Sequence, residues 1–567
     1  MSSGRIRRLP EHLINKIAAG EVVERPASVV KELVENALDA DATSVTVELR
    51  DGGAARIQVA DDGVGMMADD LELALERHAT SKIGTDDDLT AIATLGFRGE
   101  ALPAICAVTR FVIVTSPRPG GDGTRLAGEG GRVTQRLSVP ASAGTTATVS
   151  DLFYNTPARL KFLKTPATEL AATLRLVSQL ALAHPGVRFR VTNNGRVMLA
   201  APAASAARDR VGAVFGGELA ERLLPVEREQ HGVLVGGLVS PPSVERGSRE
   251  QIVTIVNGRP VRDTLLQQAI VDAFRPLLPR DRFPAAVLTV NVSPADVDVN
   301  VHPTKAWVRF RAPRLVQEVV FGAIHDAVRG SVAAPARSAA APPASRRDAD
   351  ALDGSPGSVR ADLEQPRLFA EPTAPYARHI LGRVLGQVQE TFLVTATDAE
   401  VLFIDQHVAH ERVIYERLIA DIATPPLPSQ DLLIPQPVAL APAARALLDQ
   451  WRPLLERLGF GLEEFGGSVA LRAVPVLLSG QDPRRLIERM LDELRPTGGK
   501  AIELERALAF VACRAAIKAS SPLMREEMDR LVADLSRTET PYFCPHGRPI
   551  VSRVSLSEIR KELKRTW

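Results

Sequence analysis

Residues 26–40, PASVVKELVENALDA, decide how the first third of the chain folds. Proline suits the first turn of a helix, where its missing N–H breaks no hydrogen bond. At 100° per residue, the apolar side chains of Val30, Leu33 and Val34 fall on one face. The polar side chains fall on the other face: Glu32, Glu35, Asn36 and Asp39. Because such a stripe is usually a solvated face, the helix alone predicts no function.

Two strands and a glycine turn follow this helix. Val45–Leu49 and Arg56–Ala60 alternate like β-strands around the turn DGG at 51–53, and DDGVG follows at 61–65. A carboxylate at a strand end can accept a hydrogen bond from a base edge, while glycines let backbone approach the ligand. Alone, however, a DxGxG sequence is only a turn.

Later segments add glycines and basic residues. RHATSK at 77–82 precedes LGFRGEAL at 95–102, a glycine-flanked loop that enters an apolar helix, and GTT at 144–146 opens another strand. Backbone N–H groups of such a loop suit phosphates at a helix N-terminus. The chain has no GxxxxGK[ST] and no strand-borne GxGxxG sequence, so P-loop and Rossmann nucleotide sites are not indicated.

In this order, these segments resemble the ATP-binding motifs of the GHKL superfamily of gyrases, heat-shock chaperones, histidine kinases and MutL. Further segments resemble the MutL family of DNA mismatch-repair proteins: IAAGEVVERPAS at 17–28, DLFYNTPAR at 151–159, VNGRPVR at 256–262 and DVNVHPTK at 298–305. The resemblance covers essentially the whole chain except a central linker. It implies a GHKL (Bergerat) ATPase sandwich, a second α/β transducer domain and a C-terminal domain.

The resemblance also implies ATP and Mg²⁺ as ligands and gives roles to individual residues. Glu32 would be the general base, Asn36 would hold Mg²⁺, and Asp61 would accept from the adenine amino group. Gly63 and Gly65 would leave room for the base. The remaining members of the site are the lid residues Ser81, Lys82, Gly96, Phe97, Arg98 and Gly99, with Thr145 in the adenine pocket and Lys305 at the γ-phosphate. In this family, ATP brings two N-terminal blocks together as a clamp.

A second group of polar residues lies near the C-terminus. His407 and Glu411 are four residues apart, so on a helix they could share a metal, with Asp405 at a strand-to-helix junction. A surface ion pair is the commoner interpretation of such a pair. Cys544 and His546 would lie on one side of an extended segment. Cys513, on a helix, is open between a buried core residue and a site residue.

These segments resemble the endonuclease motifs of MutL proteins that nick DNA. In the first motif, DQHAxxExxxxE, Val408 departs from the usual alanine, and five residues match: Asp405, Gln406, His407, Glu411 and Glu416. The resemblance implies zinc held by Glu411, Cys544 and His546 with His407 nearby, and hydrolysis that needs Asp405, Glu411 and Mn²⁺. The alternatives are an ATP-switched matchmaker without a nuclease and another GHKL machine, either a topoisomerase subunit or a chaperone.

Partner surfaces are predicted from short segments. SQDLLIP at 429–435 resembles the peptide by which MutL proteins contact the replication sliding clamp, through Gln430, Leu433, Ile434 and Pro435, and QPRLF at 365–369 is a second candidate. Six Lys or Arg against two Glu in residues 541–567 could meet DNA or form a solubilising tail. Arg159, Lys161 and Lys164 form a smaller basic cluster. The resemblance adds MutS and a second copy of the chain as partners.

Size and composition fit this organisation. A chain of 567 residues predicts three or four domains, and a net charge of +1 limits any nucleic-acid surface to a local patch. Three scattered cysteines and the lack of an apolar leader or membrane span predict a cytoplasmic, nucleoid-associated protein. Between 331 and 360, 20 of 30 residues are Ala, Pro, Ser or Gly, which predicts a flexible linker.

We therefore expect an α+β and α/β multidomain protein. The predicted domains are the ATPase domain at 1–210, the transducer at 211–330, the linker at 331–378, and the dimerisation and endonuclease domain at 379–567.

Overall fold

The computed structural model describes residues 22–85, 94–278, 282–298, 307–333, 380–422, 426–438, 440–465, 468–494, 500–518, 520–545 and 547–564. It divides into two compact units: unit 1 comprises Met1–Ser331 and Thr424–Ala507, and unit 2 comprises Val332–Ala423 and Leu508–Trp567. The segment 379–567, predicted as one domain, contributes to both units. Helices and several separate sheets confirm the predicted mixed αβ multidomain class.

An eight-stranded sheet begins unit 1, in the order β5-β4-β3-β6-β2-β1-β7-β8. Its strands are β1 Ser44–Arg50, β2 Arg56–Asp61, β3 Arg110–Ser116, β4 Gly121–Glu129, β5 Arg132–Ala141, β6 Gly144–Ser150, β7 Arg188–Asn193 and β8 Arg196–Ala201. Neighbours are antiparallel except β1 and β7, which are parallel. The two strands predicted on either side of the 51–53 turn are confirmed as β1 and β2.

Two long helices pack on this sheet and on each other. The predicted helix is confirmed as α1, Pro26–Asp39, and it contacts β2. Its apolar face is buried through Val29, Val30, Leu33, Val34 and Ala37. The shorter helices α2 Ala68–Leu73, α3 Ala101–Ala107 and α4 Pro157–Leu160 precede α5 Pro166–Ala183. The guanidinium of Arg25, just before α1, pairs with the buried carboxylate of Glu169 on α5 at 2.9 Å, which fixes where α1 begins.

A five-stranded sheet follows, in the order β12-β11-β13-β10-β9. Its strands are β9 Leu224–Gln230, β10 Val233–Val239, β11 Ile252–Val256, β12 Arg259–Val261 and β13 Ala286–Asn291. The helices are α6 Ala207–Phe215, α7 Gly217–Arg222, α8 Thr264–Phe274 and α9 Pro313–Ala333, with a short pair β14 Val297–Asp298 and β15 Arg309–Phe310. Buried side chains of the sheet, α8 and α9 form one hydrophobic core. Helix α9 ends at Ala333, so the first three residues of the predicted linker are helical.

The last part of unit 1 is a three-stranded sheet in the order β19-β21-β20. It comprises β19 Ser429–Val438, β20 Gly461–Phe465 and β21 Ser468–Pro475, with α11 Pro442–Arg457 and α12 Pro483–Glu493. Helix α11 contacts β20, and α12 contacts β19 and β21. This sheet therefore has its own covering helices.

Unit 2 is a four-stranded sheet in the order β16-β17-β18-β22. Its elements are β16 Arg383–Val388, β17 Phe392–Ala396, β18 Glu400–Asp405, α10 Gln406–Asp421, the end of α13 Lys500–Ala515, α14 Arg525–Ser536, β22 Val551–Ser555 and α15 Leu556–Glu562. Side chains from one sheet face form a core with α10 and α14. Strand alternation puts Leu385, Phe392 and Phe403 on the opposite face, where they are exposed.

Candidate functional site

The polar face of α1 organises the first site. Lys82 donates from Nζ to Asn36 Oδ1 at 2.8 Å and to Asp39 Oδ2 at 2.6 Å. The Asp39 carboxylate also accepts from the backbone N–H groups of Leu95 at 2.8 Å and Gly96 at 2.9 Å. Two predicted lid residues, Lys82 and Gly96, therefore lie beside Asn36, the predicted metal ligand.

Two carboxylates on α1 share one cation. Lys31 Nζ lies 3.2 Å from Glu32 Oε1 and 3.0 Å from Glu35 Oε1. Burial acts to lower the pKa of Lys31, but the two carboxylates outweigh it and raise that pKa, so the ammonium stays charged. Glu35 is buried, whereas the Glu32 side chain keeps 16% of its exposure. Glu32 is therefore the carboxylate of this pair that can reach water.

The carboxylate of Asp61 lies at the end of β2. Its Oδ1 accepts from the backbone N–H groups of Gly63 at 2.9 Å and Thr145 at 3.2 Å. Burial raises the pKa of Asp61, and the two N–H donors partly oppose that increase. The structure thus brings the predicted adenine contacts Asp61 and Thr145 together although they are 84 residues apart.

The adjacent carboxylate, Asp62, has a different task. It accepts from the Thr43 backbone at 2.8 Å, the Thr43 hydroxyl at 2.6 Å and the Ser44 backbone at 2.8 Å. Burial acts to raise the pKa of Asp62, but these hydrogen bonds outweigh it and lower that pKa. Asp62 therefore ties down the start of β1, which leaves Asp61 as the carboxylate able to take a ligand.

The glycines of the turn are required by close backbone packing. A Cβ on Gly63 would lie 2.6 Å from the carbonyl oxygen of Ala40, at the end of α1. Gly65 has a φ of +69°, and a Cβ there would lie 2.0 Å from the Ser116 carbonyl oxygen. These contacts hold the turn against α1 and β3; room for a base at Gly63 and Gly65 stays a prediction.

A threonine that sequence reasoning missed links this turn to the strands. Thr115 Oγ1 accepts from the Met66 backbone at 3.0 Å and lies 2.9 Å from Thr145 Oγ1. Its sequence signal was only its alternation on a strand, which does not distinguish a site residue from a core residue.

The two predicted lid segments contact each other. The His78 backbone N–H donates to the Gly99 carbonyl at 3.0 Å. Phe97 is buried, whereas Ser81 and Arg98 are exposed. The two segments therefore combine a buried phenylalanine with exposed polar side chains, and their role as a lid stays a prediction.

An arginine from the five-stranded sheet reaches the same lid. Arg259 donates from Nη1 to the Leu95 carbonyl at 3.1 Å and from Nη2 to the Thr94 carbonyl at 2.9 Å. Burial lowers the pKa of Arg259, and the carboxylates of α1 partly oppose that decrease. Sequence reasoning gave Arg259 no role, because an arginine in a VNGR turn carries no sign of a partner 164 residues away.

In unit 2, Asp405 ends β18 and caps α10, as the sequence predicted. Its carboxylate accepts from the backbone N–H groups of His407 at 3.0 Å and Val408 at 3.1 Å. His407 Nδ1 lies 2.7 Å from the carbonyl oxygen of Ile517. A carbonyl only accepts, so Nδ1 is the donor; in a neutral ring the lone pair that a metal could take is then on Nε2.

His407 also belongs to a three-residue cluster. Ligand atoms of His407, Glu411 and Cys513 all lie within 4.8 Å of one another, and among the described residues no other group of three His, Cys, Asp or Glu does so. Imidazole, carboxylate and thiolate are together a donor set that zinc favours. Cys513 therefore lies beside His407 and Glu411, and its role as a ligand stays a prediction.

Cys544 does not lie as predicted. Its segment was expected to be extended, but Cys544 N donates to the Arg548 carbonyl and Gly547 N donates to the Cys544 carbonyl, both at 2.9 Å, so the chain forms a turn. The thiol is buried in the core of unit 2, where it accepts from the Arg548 N–H at 3.3 Å. The expectation of an extended segment was wrong because proline and glycine in CPHGRP favour a turn.

Two residues of the first endonuclease motif make structural contacts. Gln406 is buried and donates from Nε2 to the carbonyls of Glu390 at 2.8 Å and Ser521 at 2.9 Å. Glu416 pairs with Arg412 at 2.6 Å and accepts from the Glu539 backbone. Gln406 and Glu416 hold α10 in place. The cluster residues His407 and Glu411 lie in the first two turns of that helix.

The clamp-like peptide lies on β19 and is exposed at its apolar residues. Pairing with β21 is interrupted between Asp431 and Gln436. Leu433 is 99% exposed and Ile434 67%, although both are large and apolar. Gln430 and Pro435 are exposed on either side of them. These side chains, which belong to unit 1, are exposed to solvent.

Several sequence predictions fall outside the described residues: Lys305, His546, the second clamp-like peptide at 365–369 and the linker from 334 onward. Within the described part of the chain, no helix is long and apolar enough to cross a membrane.

A family model described as "Histidine kinase-, DNA gyrase B-, and HSP90-like ATPase" matches residues 24–118. This range contains α1, the DxGxG turn and the predicted lid. Unit 1 therefore contains an ATPase domain of this class. Two further models match: "DNA mismatch repair protein, C-terminal domain" at 211–329 and "MutL C terminal dimerisation domain" at 385–523.

Curated relatives narrow the class to one family. A DNA mismatch repair protein MutL from Geobacter sulfurreducens is 41% identical over 99% of both chains. One from Methanoculleus marisnigri is 40% identical over 96% of this chain and 97% of its own. The chain belongs to the MutL family of DNA mismatch-repair proteins, and the topoisomerase and chaperone alternatives fall away. A solved structure, "Crystal Structure of N terminal domain of a DNA repair protein", covers 57% of this chain and all of its own, at 27% identity and a TM-score of 0.50.

Proposed function

We propose that this MutL protein is an ATP-driven clamp that couples mismatch recognition by MutS to strand incision, and that its own C-terminal domain nicks DNA. The cluster of His407 and Glu411, on the helix that Asp405 caps, with Cys513 of α13 carries the nicking proposal. The proposed domains are 1–210, 211–330, the linker 331–378, whose first three residues continue α9, and 379–567, which contributes to both units.

ATP turnover would rest on α1. Glu32, the more exposed carboxylate beside Lys31, would take a proton from the attacking water. Asn36 Oδ1 would hold Mg²⁺, whose charge supports phosphoryl transfer. That oxygen accepts from Lys82, so metal binding requires the ammonium to release it. We expect Lys82 to turn towards the phosphates when ATP binds.

The other ATP contacts would come from the turn and the lid. Asp61 would accept from the adenine amino group, with Gly63, Gly65 and Thr145 around the base. The lid residues would cover the phosphates: Ser81, Lys82, Gly96, Phe97, Arg98 and Gly99. Lys305 would contact the γ-phosphate from the second domain and thereby distinguish ATP from ADP.

The metal site in unit 2 would be built on α10. His407, Glu411 and Cys513 fit Zn²⁺ by donor chemistry and proximity. Cys544 and His546 stay proposed ligands from the family resemblance. A divalent metal there, Zn²⁺ or Mn²⁺, would supply Lewis-acid activation of the phosphodiester. Asp405, fixed by its cap bonds, would hold a negative charge at the helix start.

The homodimer that the dimerisation domain supports would form through the uncovered face of the unit 2 sheet. Phe403 and Phe392 are 37% and 38% exposed there, and Leu385 is 46% exposed. The opposite face is already covered by α10 and α14. An apolar sheet face of this kind is stable in water when a second copy covers it.

DNA and the sliding clamp would use local surfaces. Arg548 and Arg553 near the C-terminus are exposed, as are Lys161 and Lys164 after α4. Such side chains suit phosphates. Arg159 of the same cluster instead donates to the Val23 carbonyl at 3.1 Å, so its first task is structural.

The clamp contact would be made by β19. Leu433 and Ile434 would enter an apolar groove on the clamp, with Gln430 and Pro435 beside them. An extended peptide whose apolar side chains are exposed already has the shape that such a groove accepts.

Glu32→Ala should keep ATP binding and lose turnover by about a hundredfold or more, because a general base contributes on that order. Steady-state phosphate release and binding of a fluorescent ATP analogue measure the two properties. Glu48→Gln, an exposed glutamate on β1, is the control, and it should retain turnover. Hydrolysis near the wild-type rate in Glu32→Ala would show that Glu32 is not the base.

Asp405→Asn should keep ATPase activity and abolish nicking of supercoiled plasmid with Mn²⁺ and ATP. Asparagine can still cap α10, so the change removes the charge and spares the helix. Asp482→Asn is the matched control, since Asp482 caps α12 through the N–H groups of Arg484 and Arg485. A wild-type protein that does not nick would favour the matchmaker, and unchanged nicking in Asp405→Asn would place the active site elsewhere.

Phe403→Asp should convert the nucleotide-free dimer to monomer, raising the dissociation constant about a hundredfold or more, because a charge would be buried in an apolar interface. Sedimentation velocity across a concentration series measures this. Phe162→Asp is the control, since Phe162 is 85% exposed in unit 1. Unchanged dimerisation in Phe403→Asp would exclude this face.

A further inference from the structure

Two successive peptide groups, 94–95 and 95–96, are each held by both domains of the N-terminal block. The Leu95 N–H donates to Asp39 Oδ1 at 2.8 Å, and the Leu95 carbonyl accepts from Arg259 Nη1 at 3.1 Å. Asp39 belongs to α1, the helix that carries Glu32 and Asn36, whereas Arg259 begins β12 of the second sheet. The residue that opens the glycine lid is thus bonded to the ATPase helix through one end and to the second domain through the other.

Charged groups make both contacts. The Asp39 carboxylate also accepts from the Gly96 N–H and the Lys82 ammonium. Arg259 makes a second bond, to the Thr94 carbonyl. Hydrogen bonds with one ionised partner are stronger than neutral ones, and burial strengthens them further. Together these contacts fix the backbone at 94–96, which includes the first lid glycine.

The arginine is also enclosed by negative charge. Arg259 is 6% exposed, and three carboxylates of α1 act on it: Glu35, Asp39 and Glu32. Burial of its charge is costly unless the charge is matched in this way. A displacement of β12 relative to α1 would separate these charges. It would also move the Leu95 carbonyl, which is hydrogen-bonded to Arg259.

We propose that Arg259 is a positioning residue that couples the lid over the nucleotide to the second domain. When β12 is in place, Leu95 is held from both sides and the segment Gly96–Gly99 stays aligned with the polar face of α1. When β12 shifts, Arg259 draws Leu95 away from Asp39 and the lid loses its alignment. This coupling rests on the proposed ATP site.

The first test uses the full-length chain with Arg259→Gln, Arg259→Lys and the control Arg262→Gln, an exposed arginine on the same hairpin. We expect Arg259→Gln to raise the Kd of a non-hydrolysable ATP analogue about tenfold, the loss typical of a charge-assisted hydrogen bond. Amide exchange at residues 94–99 in the bound state should speed up. Arg259→Lys should recover part of both, and Arg262→Gln should match wild type.

The second test is a double-mutant cycle with Asp39→Asn. Asp39 and Arg259 hold the same two peptide groups. The double variant should therefore bind the analogue only slightly less tightly than whichever single variant binds it less tightly. Fold-losses that multiply would contradict the coupling, as would wild-type affinity and lid exchange in Arg259→Gln. A lower Tm in Arg259→Gln with no change in bound-state lid exchange would reduce Arg259 to a packing role.

Failure of the ATP site and failure of the coupling give different results. If wild type does not bind the analogue, the proposed ATP site is wrong. If wild type binds and Arg259→Gln binds equally well, the site stands and the coupling is wrong.

Discussion

The buried carboxylate of Asp39 accepts hydrogen bonds from Lys82, Leu95 and Gly96, and the rest of the unit 1 site depends on it. Its side chain is 6% exposed, so its charge must be matched inside the protein. Matching it draws two lid segments, remote in sequence, onto the helix of Glu32 and Asn36. The polar face of α1 therefore contacts both predicted lid segments instead of facing only solvent.

Local patterns were predictable and distant pairings were not. The amphipathic period of residues 26–40 and the alternation of the next strands gave α1, β1 and β2 to within a residue or two, because both signals are local. The junction at Asp405 was predicted for the same reason. The contacts of Arg259 could not be predicted, because its partners lie 164 and 165 residues away and no local pattern in its turn indicates them.

The second centre shows where a local pattern misleads. The spacing of Cys544 and His546 suggested one side of an extended segment, but the backbone turns back through the Cys544–Arg548 hydrogen bond. Cys513, which helix periodicity left undecided, lies beside His407 because the chain folds so that Ile517 reaches that ring. Ligand sets depend on where segments meet, which only the fold determines.

We propose that ATP binds between α1 and the DxGxG turn, where Asp61 accepts a hydrogen bond from the adenine amino group. The most direct measurement is the affinity of the full chain for a fluorescent ATP analogue in Asp61→Asn and Asp62→Asn, adjacent carboxylates with different partners. We predict that Asp61→Asn weakens binding about tenfold or more at near-wild-type Tm, since a hydrogen bond to a charged acceptor is lost. Asp62→Asn should lower the Tm and retain binding. The reverse pattern, or equal affinity in Asp61→Asn and wild type, would contradict the account.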